Sequence, residues 1–153
     1  MHTTFLEDYV STLYQNIGIF TPEDINIKKI ARRFNILLTF SEIDSFMTNI
    51  GPVTCINIDS RLNEIEQREA FFHELCHSLR HVGNQMKLPK SFLDYQEWDA
   101  QRFTLYASMP YHMVKTRQWD NPSALQRVFK VPYHLCEKRF NQLANRYHNL
   151  SIG

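Results

Sequence analysis

The apolar residues of this chain change their spacing twice along the sequence, and this change restricts the fold more than any other feature. Residues 36–40 form a short β-prone run, and residues 53–58 alternate apolar and polar side chains after the turn signal Gly51-Pro52. On both sides of this stretch the apolar residues recur at helical spacing. The pattern predicts an α+β fold with N-terminal helices, a small antiparallel sheet of two or three strands, and further helices.

Residues that favour helix starts divide the helical segments. Thr4 with Glu7, and Asn63 with Glu66, have the spacing of a capping box, so we expect a first helix after Thr4 and a long helix from Asn63 to about Val82. The other expected elements are a short helix carrying Ile27, Ile30, Ala31 and Phe34, an optional strand at residues 46–49, and helices from about Tyr95 to Ser108, from Asn121-Pro122 and from Pro132.

We expect one domain, residues 1–153. The 153 residues can bury one core, and with only four glycines they contain no internal repeat and no Gly/Ser-rich linker. The formal net charge is +1, from 17 basic and 16 acidic residues. Proteins that bind nucleic acid directly carry a basic excess that neutralises phosphates, so we expect no direct nucleic-acid binding here.

The sequence predicts a cytoplasmic protein that does not enter the membrane. Residues 1–8 lack the basic and apolar regions of a signal peptide, and no apolar run approaches the roughly 18 residues of a membrane span. The cysteines Cys55, Cys76 and Cys136 form an odd set without a Cys-x-x-Cys pair. We therefore expect reduced thiols rather than disulfides.

The segment His73-Glu74-Leu75-Cys76-His77 indicates a metal site within the long helix. Histidines at positions i and i+4 lie one turn apart on one face, so both imidazoles can reach one Zn²⁺ at about 2.0–2.1 Å. Glu74 is rotated by about 100° from His73, which places its carboxylate beside the open coordination position. From there it can accept a proton from a bound water molecule. A catalytic zinc also needs a third protein ligand.

His81 is the nearest candidate in sequence for the third ligand, but helix geometry excludes it. The rise of 1.5 Å per residue places His81 about 12 Å along the axis from His73. One zinc ion cannot bind His73, His77 and His81 together. We expect His81 to lie on the surface or behind the ligands, with contact to the substrate as a further alternative.

The next predicted helix offers two acids, Glu97 and Asp99. They are about 200° apart around the helix, so only one of them can face the metal. Glu97 heads a stripe of small residues: Ala100, Thr104 and Ala107. Small side chains let two helices approach closely, as the short reach of a carboxylate requires. We therefore predict that His73, His77 and Glu97 bind Zn²⁺ and that Glu74 is the catalytic base.

These residues resemble the ImmA/IrrE family of metallopeptidases. That family follows its HExxH motif with a helix of pattern E-x-x-A-x-x-F that ends in a Met-Pro break. The corresponding residues here are His73, Glu74, His77, Glu97, Ala100, Phe103, Met109 and Pro110. Residues 27–36, 55–59 and 129–132 are also similar to the family, so the likeness covers nearly the whole chain. Two mild departures are Cys76 and Thr104, where the family usually has small residues.

The resemblance implies a compact gluzincin-like fold and a biological role. It implies a zinc metalloendopeptidase with His73, His77 and Glu97 as metal ligands and Glu74 as the catalytic glutamate. It further implies an anti-repressor, often encoded by a phage or an integrative element, that regulates transcription. Such a protein acts on a helix-turn-helix repressor and relieves repression by site-specific cleavage, so the implied partner is a protein substrate.

The expected reaction is metal-assisted hydrolysis of a peptide bond. A bound zinc would lower the pKa of its water toward about 7, and Glu74 would accept the proton and pass it to the leaving amine. The residue that stabilises the oxyanion is left open by the sequence. The candidates are Tyr95, Tyr106, Tyr111, His81 and His112.

Two other functions compete with this prediction. A zinc-containing regulator could bind a transcription factor without cutting it, although a purely structural metal would not need Glu74. Residues 27–34 and 123–140 resemble fragments of a helix-turn-helix, but a nearly neutral chain is poorly suited to binding DNA. The expected loop at residues 83–94 and the small number of glycines favour a selective enzyme over a degradative protease.

Overall fold

The computed structural model describes residues 3–81 and 88–152. In this part of the chain the helices and strands follow one another as α1 (Phe5–Asn16), α2 (Ile27–Arg33), β1 (Leu37–Ser41), β2 (Phe46–Ile50), β3 (Val53–Asp59), α3 (Glu64–Arg80), α4 (Lys90–Ser108), α5 (Tyr111–Val114), α6 (Pro122–Phe129) and α7 (Tyr133–Ile152). A short 3₁₀ turn, Pro22–Asp24, precedes α2. The predicted α+β class, with the sheet between two groups of helices in sequence, is confirmed.

Both predicted capping boxes form. Thr4 Oγ1 accepts a hydrogen bond from the backbone N–H of Glu7, whose side chain accepts one from the backbone N–H of Thr4. Asn63 and Glu66 make the same reciprocal pair at the start of α3. These bonds satisfy backbone donors that have no partner within the helix, so they define where α1 and α3 begin.

The segment between α3 and α4 differs from its prediction. Helix α3 ends at Arg80, and the expected end near Val82 lies outside the described residues. Helix α4 begins at Lys90, directly after Pro89, and therefore earlier than the expected start near Tyr95. Of the expected loop at residues 83–94, residues 83–87 lie outside the described part, and residues 90–94 form the first turn of α4. Proline is compatible with this position because the first N–H groups of a helix have no helical acceptor.

The three strands form a mixed sheet in the order β1-β3-β2. Strand β2 pairs with β3 in the antiparallel sense through the expected Gly51-Pro52 turn, whereas β1 pairs with β3 in the parallel sense. The antiparallel pairing expected for the whole sheet is therefore found for one of its two strand pairs. The reason is the connection at residues 42–45, which crosses the end of β3. Its Ser45 hydroxyl accepts a hydrogen bond from the backbone N–H of Asp59.

The core lies between the sheet and the helices, and α3 and α4 pack against each other within it. Both helices contribute fully buried side chains to this core: Phe71, Phe72, Leu75 and Cys76 from α3, and Ala100, Phe103 and Ala107 from α4. No helix in the described part of the chain combines the length and the apolar character needed to cross a membrane.

A buried ion-pair network joins the first helix to the last. The carboxylate of Glu7 accepts hydrogen bonds from Arg139 Nη1 at 2.9 Å and from Arg146 Nη1 at 2.9 Å. The side chains of Glu7 and Arg139 are completely buried. Burial alone would raise the pKa of Glu7, but the hydrogen bonds from Arg146 and the charge of Arg139 hold it below its ordinary value of 4.5.

We predict that Glu7→Gln lowers the free energy of unfolding by about 3–5 kcal/mol, because it leaves the buried Arg139 without its counter-charge. Urea unfolding at neutral pH would measure this loss. Asp8→Asn is the matched control, since it removes the same charge from an exposed neighbour on the same helix. Equal stability of the two variants would contradict the prediction.

The same pair predicts a pH dependence. A carboxyl group whose pKa is lower in the folded than in the unfolded state stabilises the fold above its unfolded pKa, and that stabilisation is lost as the pH falls through the folded pKa. The difference in stability between the wild type and Glu7→Gln should therefore be full at neutral pH and shrink below about pH 4.5. Unfolding curves measured from about pH 3 to about pH 7, a range that includes the ordinary pKa of a glutamate, would test this.

Candidate metal centre

Three side chains from α3 and α4 converge on one point. His73 Nε2 and His77 Nε2 lie 3.3 Å apart. Glu97 places Oε2 3.0 Å from the first nitrogen and Oε1 3.0 Å from the second. Donor atoms held tetrahedrally at about 2.0–2.1 Å from one zinc ion are about 3.3 Å from each other, so these three side chains can reach the same ion. The structure thus brings together the residues predicted as ligands, and their binding of a metal stays a prediction.

Helix geometry and helix packing explain this convergence. One turn of α3 stacks His73 and His77, and α4 lies against that face with Ala100 and Thr104 buried below Glu97. The side chain of His77 is only 5% exposed, whereas that of Glu97 is 53% exposed. The centre is therefore closed on the His77 side and open to solvent on the Glu97 side.

The donor chemistry fits a divalent metal ion. Two imidazole nitrogens and one carboxylate form a ligand set typical of catalytic zinc, with a fourth position left for water or substrate. His77 Nδ1 lies 2.8 Å from His81 Nδ1, which leaves Nε2 as the nitrogen that faces His73 and Glu97.

Glu74 is half-buried on the same helix, one residue after His73. Burial, together with the negative charge of Glu97, raises the pKa of Glu74 to about 7. A carboxyl group in such surroundings is a stronger base than an exposed one and can exchange protons near neutral pH. A bound cation would oppose this shift, since it favours the charged carboxylate.

Asp99 faces away from the convergence point, as its rotation from Glu97 predicted. It is 2% exposed, and its Oδ2 accepts a hydrogen bond from Arg80 Nε at 2.8 Å. The same oxygen lies 2.9 Å from His81 Nε2. Burial by itself would raise the pKa of Asp99, but the hydrogen bonds from Arg80 and His81 keep it below its ordinary value.

His81 lies behind the ligands, which was one of the alternatives expected from the sequence. Its side chain is 5% exposed and joins His77 to Asp99. The sequence analysis did not foresee the contact between His81 and Asp99. The spacing of four residues from His77 to His81 was a usable signal, but only the packing of α3 against α4 shows that Asp99 meets His81.

The structure narrows the choice among the five candidates for stabilising an oxyanion. His81 is engaged at both ring nitrogens, and His112 Nε2 donates to the carbonyl of Ile19 at 3.1 Å. Tyr106 is 2% exposed, and its hydroxyl accepts a hydrogen bond from Gln142 at 3.0 Å. Tyr95 is exposed, with its ring 5.8 Å from that of Trp98, and the ring of Tyr111 lies under the cationic groups of Lys115 and Arg146.

A polar cavity of about 230 Å³ opens beside His73. Its walls include Gln101 from α4 and His134 and Lys138 from α7. His134 Nε2 lies 3.2 Å from Glu69 Oε1, and Glu69 and Lys138 give the cavity charges of both signs. These groups can donate hydrogen bonds to the carbonyl oxygens of an extended peptide.

Comparison with known proteins agrees with the resemblance found in the motifs. The family described as the IrrE N-terminal-like domain, peptidase M78, matches residues 23–141. The chain is similar to the phage-like element PBSX protein XkdA of Bacillus subtilis (strain 168), with 31% identity over 150 residues that cover 95% of this chain and 76% of that protein. The uncharacterized protein YqaB of the same strain is 33% identical over 141 residues, which cover 89% of this chain and 82% of YqaB.

We predict that the purified chain binds about one zinc ion, and that Glu97→Ala weakens zinc binding far more than Asp99→Ala, because only Glu97 offers an oxygen to the convergence point. Elemental analysis and competition with a chromophoric chelator would measure both quantities. Asp94→Ala, which removes an exposed carboxylate from the same helix, is the matched control. A larger loss in Asp99→Ala than in Glu97→Ala would show that the wrong face of α4 was chosen.

Proposed function

Since this chain belongs to the peptidase M78 family, the IrrE N-terminal-like domain, we propose that it is a zinc metallopeptidase that inactivates a helix-turn-helix repressor by cutting it at one or very few sites. The observation that carries the proposal is the triangle of donor atoms formed by His73, His77 and Glu97. The repressor would belong to a phage or another mobile element, and the reaction would take place in the cytoplasm. Residues 1–153 would act as one domain.

The roles of the chain's own residues follow from their positions. His73, His77 and Glu97 would hold the ion at the floor of an open site. When bound, zinc supplies a Lewis acid that polarises the scissile carbonyl and makes water more acidic. Glu74 would accept a proton from the attacking water and deliver it to the leaving amine. The cavity beside His73 would receive the peptide segment that flanks the scissile bond.

The anti-repressor role draws support from the relatives. XkdA carries the name of a phage-like element. A peptidase encoded with such an element would meet that element's own regulators as substrates. The cavity beside His73, about 230 Å³, is also small for a degradative protease. Discrimination among substrates would therefore depend on contacts with a folded or partly folded partner outside this cavity.

We predict that Glu74→Gln retains zinc at the wild-type level but lowers the rate of repressor cleavage by about 10²–10⁴-fold, the usual contribution of a general acid–base. Gel analysis of the cognate repressor and elemental analysis of the enzyme would test the two parts. Glu64→Gln, an exposed carboxyl at the start of the same helix, should cleave like the wild type. Tight binding of the repressor without cleavage by the wild type would instead favour the regulator that binds without cutting.

We also predict selectivity. Casein and unstructured peptides should be cut slowly, whereas the cognate repressor should give one or a few defined fragments that disappear when a zinc chelator is added. Mass spectrometry of the fragments would locate the cuts. Rapid digestion of casein would overturn the selective function while leaving the zinc chemistry in place.

A further inference from the structure

Three buried side chains form a continuous row behind the candidate metal centre. Asp99 Oδ2 lies 2.9 Å from His81 Nε2, and His81 Nδ1 lies 2.8 Å from His77 Nδ1. The other ring nitrogen of His77, Nε2, faces His73 and Glu97. We propose that Asp99 and His81 are positioning residues that hold His77 in the tautomer required for metal binding. This inference rests on the proposed metal centre.

The direction of each hydrogen bond follows from Asp99. A carboxylate only accepts hydrogen bonds, so His81 Nε2 must carry a hydrogen and donate it to Asp99. A neutral His81 then has a lone pair on Nδ1, which accepts a hydrogen bond from His77 Nδ1. His77 is left with a lone pair on Nε2, the atom that points at the metal position. The negative charge of Asp99 therefore determines, through His81, which ring nitrogen of His77 carries the hydrogen.

Arg80 secures the first member of this row. Its Nε donates to Asp99 Oδ2 at 2.8 Å and its Nη2 donates to Oδ1 at 3.3 Å, so the Asp99 carboxyl is held as a charged acceptor. Water competes little with these bonds, because the side chains of His77, His81 and Asp99 are each no more than 5% exposed. In dry surroundings the protein, rather than the solvent, decides which ring nitrogen carries the hydrogen.

The same residues do not form a second metal site. Cys76 Sγ, His81 and Asp99 are close enough together to suggest one. However, the guanidinium of Arg80 is already bound to both carboxylate oxygens of Asp99, and its positive charge would repel a second cation. Cys76 Sγ instead donates a hydrogen bond to Asp99 Oδ2 at 3.8 Å, so it adds to the donors around this carboxylate.

The test combines zinc affinity with a direct reading of the tautomers. Asp99→Asn removes the negative charge that favours hydrogen on Nε2 of His81, so the tautomer with hydrogen on Nδ1, against His77, becomes more populated. We expect zinc affinity, measured by chelator competition, to fall by about 10–100-fold, the usual effect of losing a residue that orients a metal ligand. Stoichiometry at excess zinc should stay near one, and Asp94→Asn should bind zinc like the wild type.

Nitrogen-15 chemical shifts of the histidine rings should show hydrogen on Nε2 of His81 and on Nδ1 of His77 in the zinc-loaded wild type. A purely structural role of Asp99 would lower the thermal midpoint of the variant without moving these signals.

Hydrogen on Nδ1 of His81 in the wild type, or unchanged zinc affinity in folded Asp99→Asn, would overturn the inference. The wild-type spectra test the proposed tautomers of His81 and His77 even if Asp99→Asn does not fold. A wild type that takes up no zinc would refute the proposed function, whereas the tautomer of His81 can still be read in the metal-free protein.

Discussion

The close packing of α4 along α3 is the contact on which the rest of this structure depends. A glutamate reaches only a short distance from its backbone, so a centre shared between two helices forms only where small residues let the helix axes approach. Ala100 and Ala107 are completely buried, and Thr104, also buried, turns its hydroxyl back to the carbonyl of Ala100. Larger residues on this face would move Glu97 away from the two histidines of α3.

The same packing gives two neighbouring acids of α4 different surroundings. Glu97 is exposed and lies at the convergence point, whereas Asp99, on the opposite side of the helix, is buried with Arg80 and His81. The buried carboxylate is balanced by a full positive charge, so it does not compete for the cation. Roughly half a turn of helix thus separates the group that faces the solvent side of the centre from the group that supports it from behind.

Sequence alone predicted the features that depend on local geometry. The capping boxes of α1 and α3 and the alignment of His73 with His77 follow from the helical repeat, and Glu97 followed from the small-residue stripe. The order and sense of the strands did not follow, because period-two alternation contains no information about which strand pairs with which. The row from Asp99 through His81 to His77 was also missed, because it joins residues of two helices whose relative rotation is set only by packing.

The pairing of Glu7 with Arg139 has a consequence for how the protein is made. The two residues are separated by 132 positions in the chain. At a synthesis rate of about 5–20 residues per second, Glu7 exists for roughly 7–26 s before Arg139 has been added. During that time α1 lacks both its buried counter-charge and the helix that supplies it. The buried ion pair that joins α1 to α7 therefore forms only late in translation, and the core is complete only then.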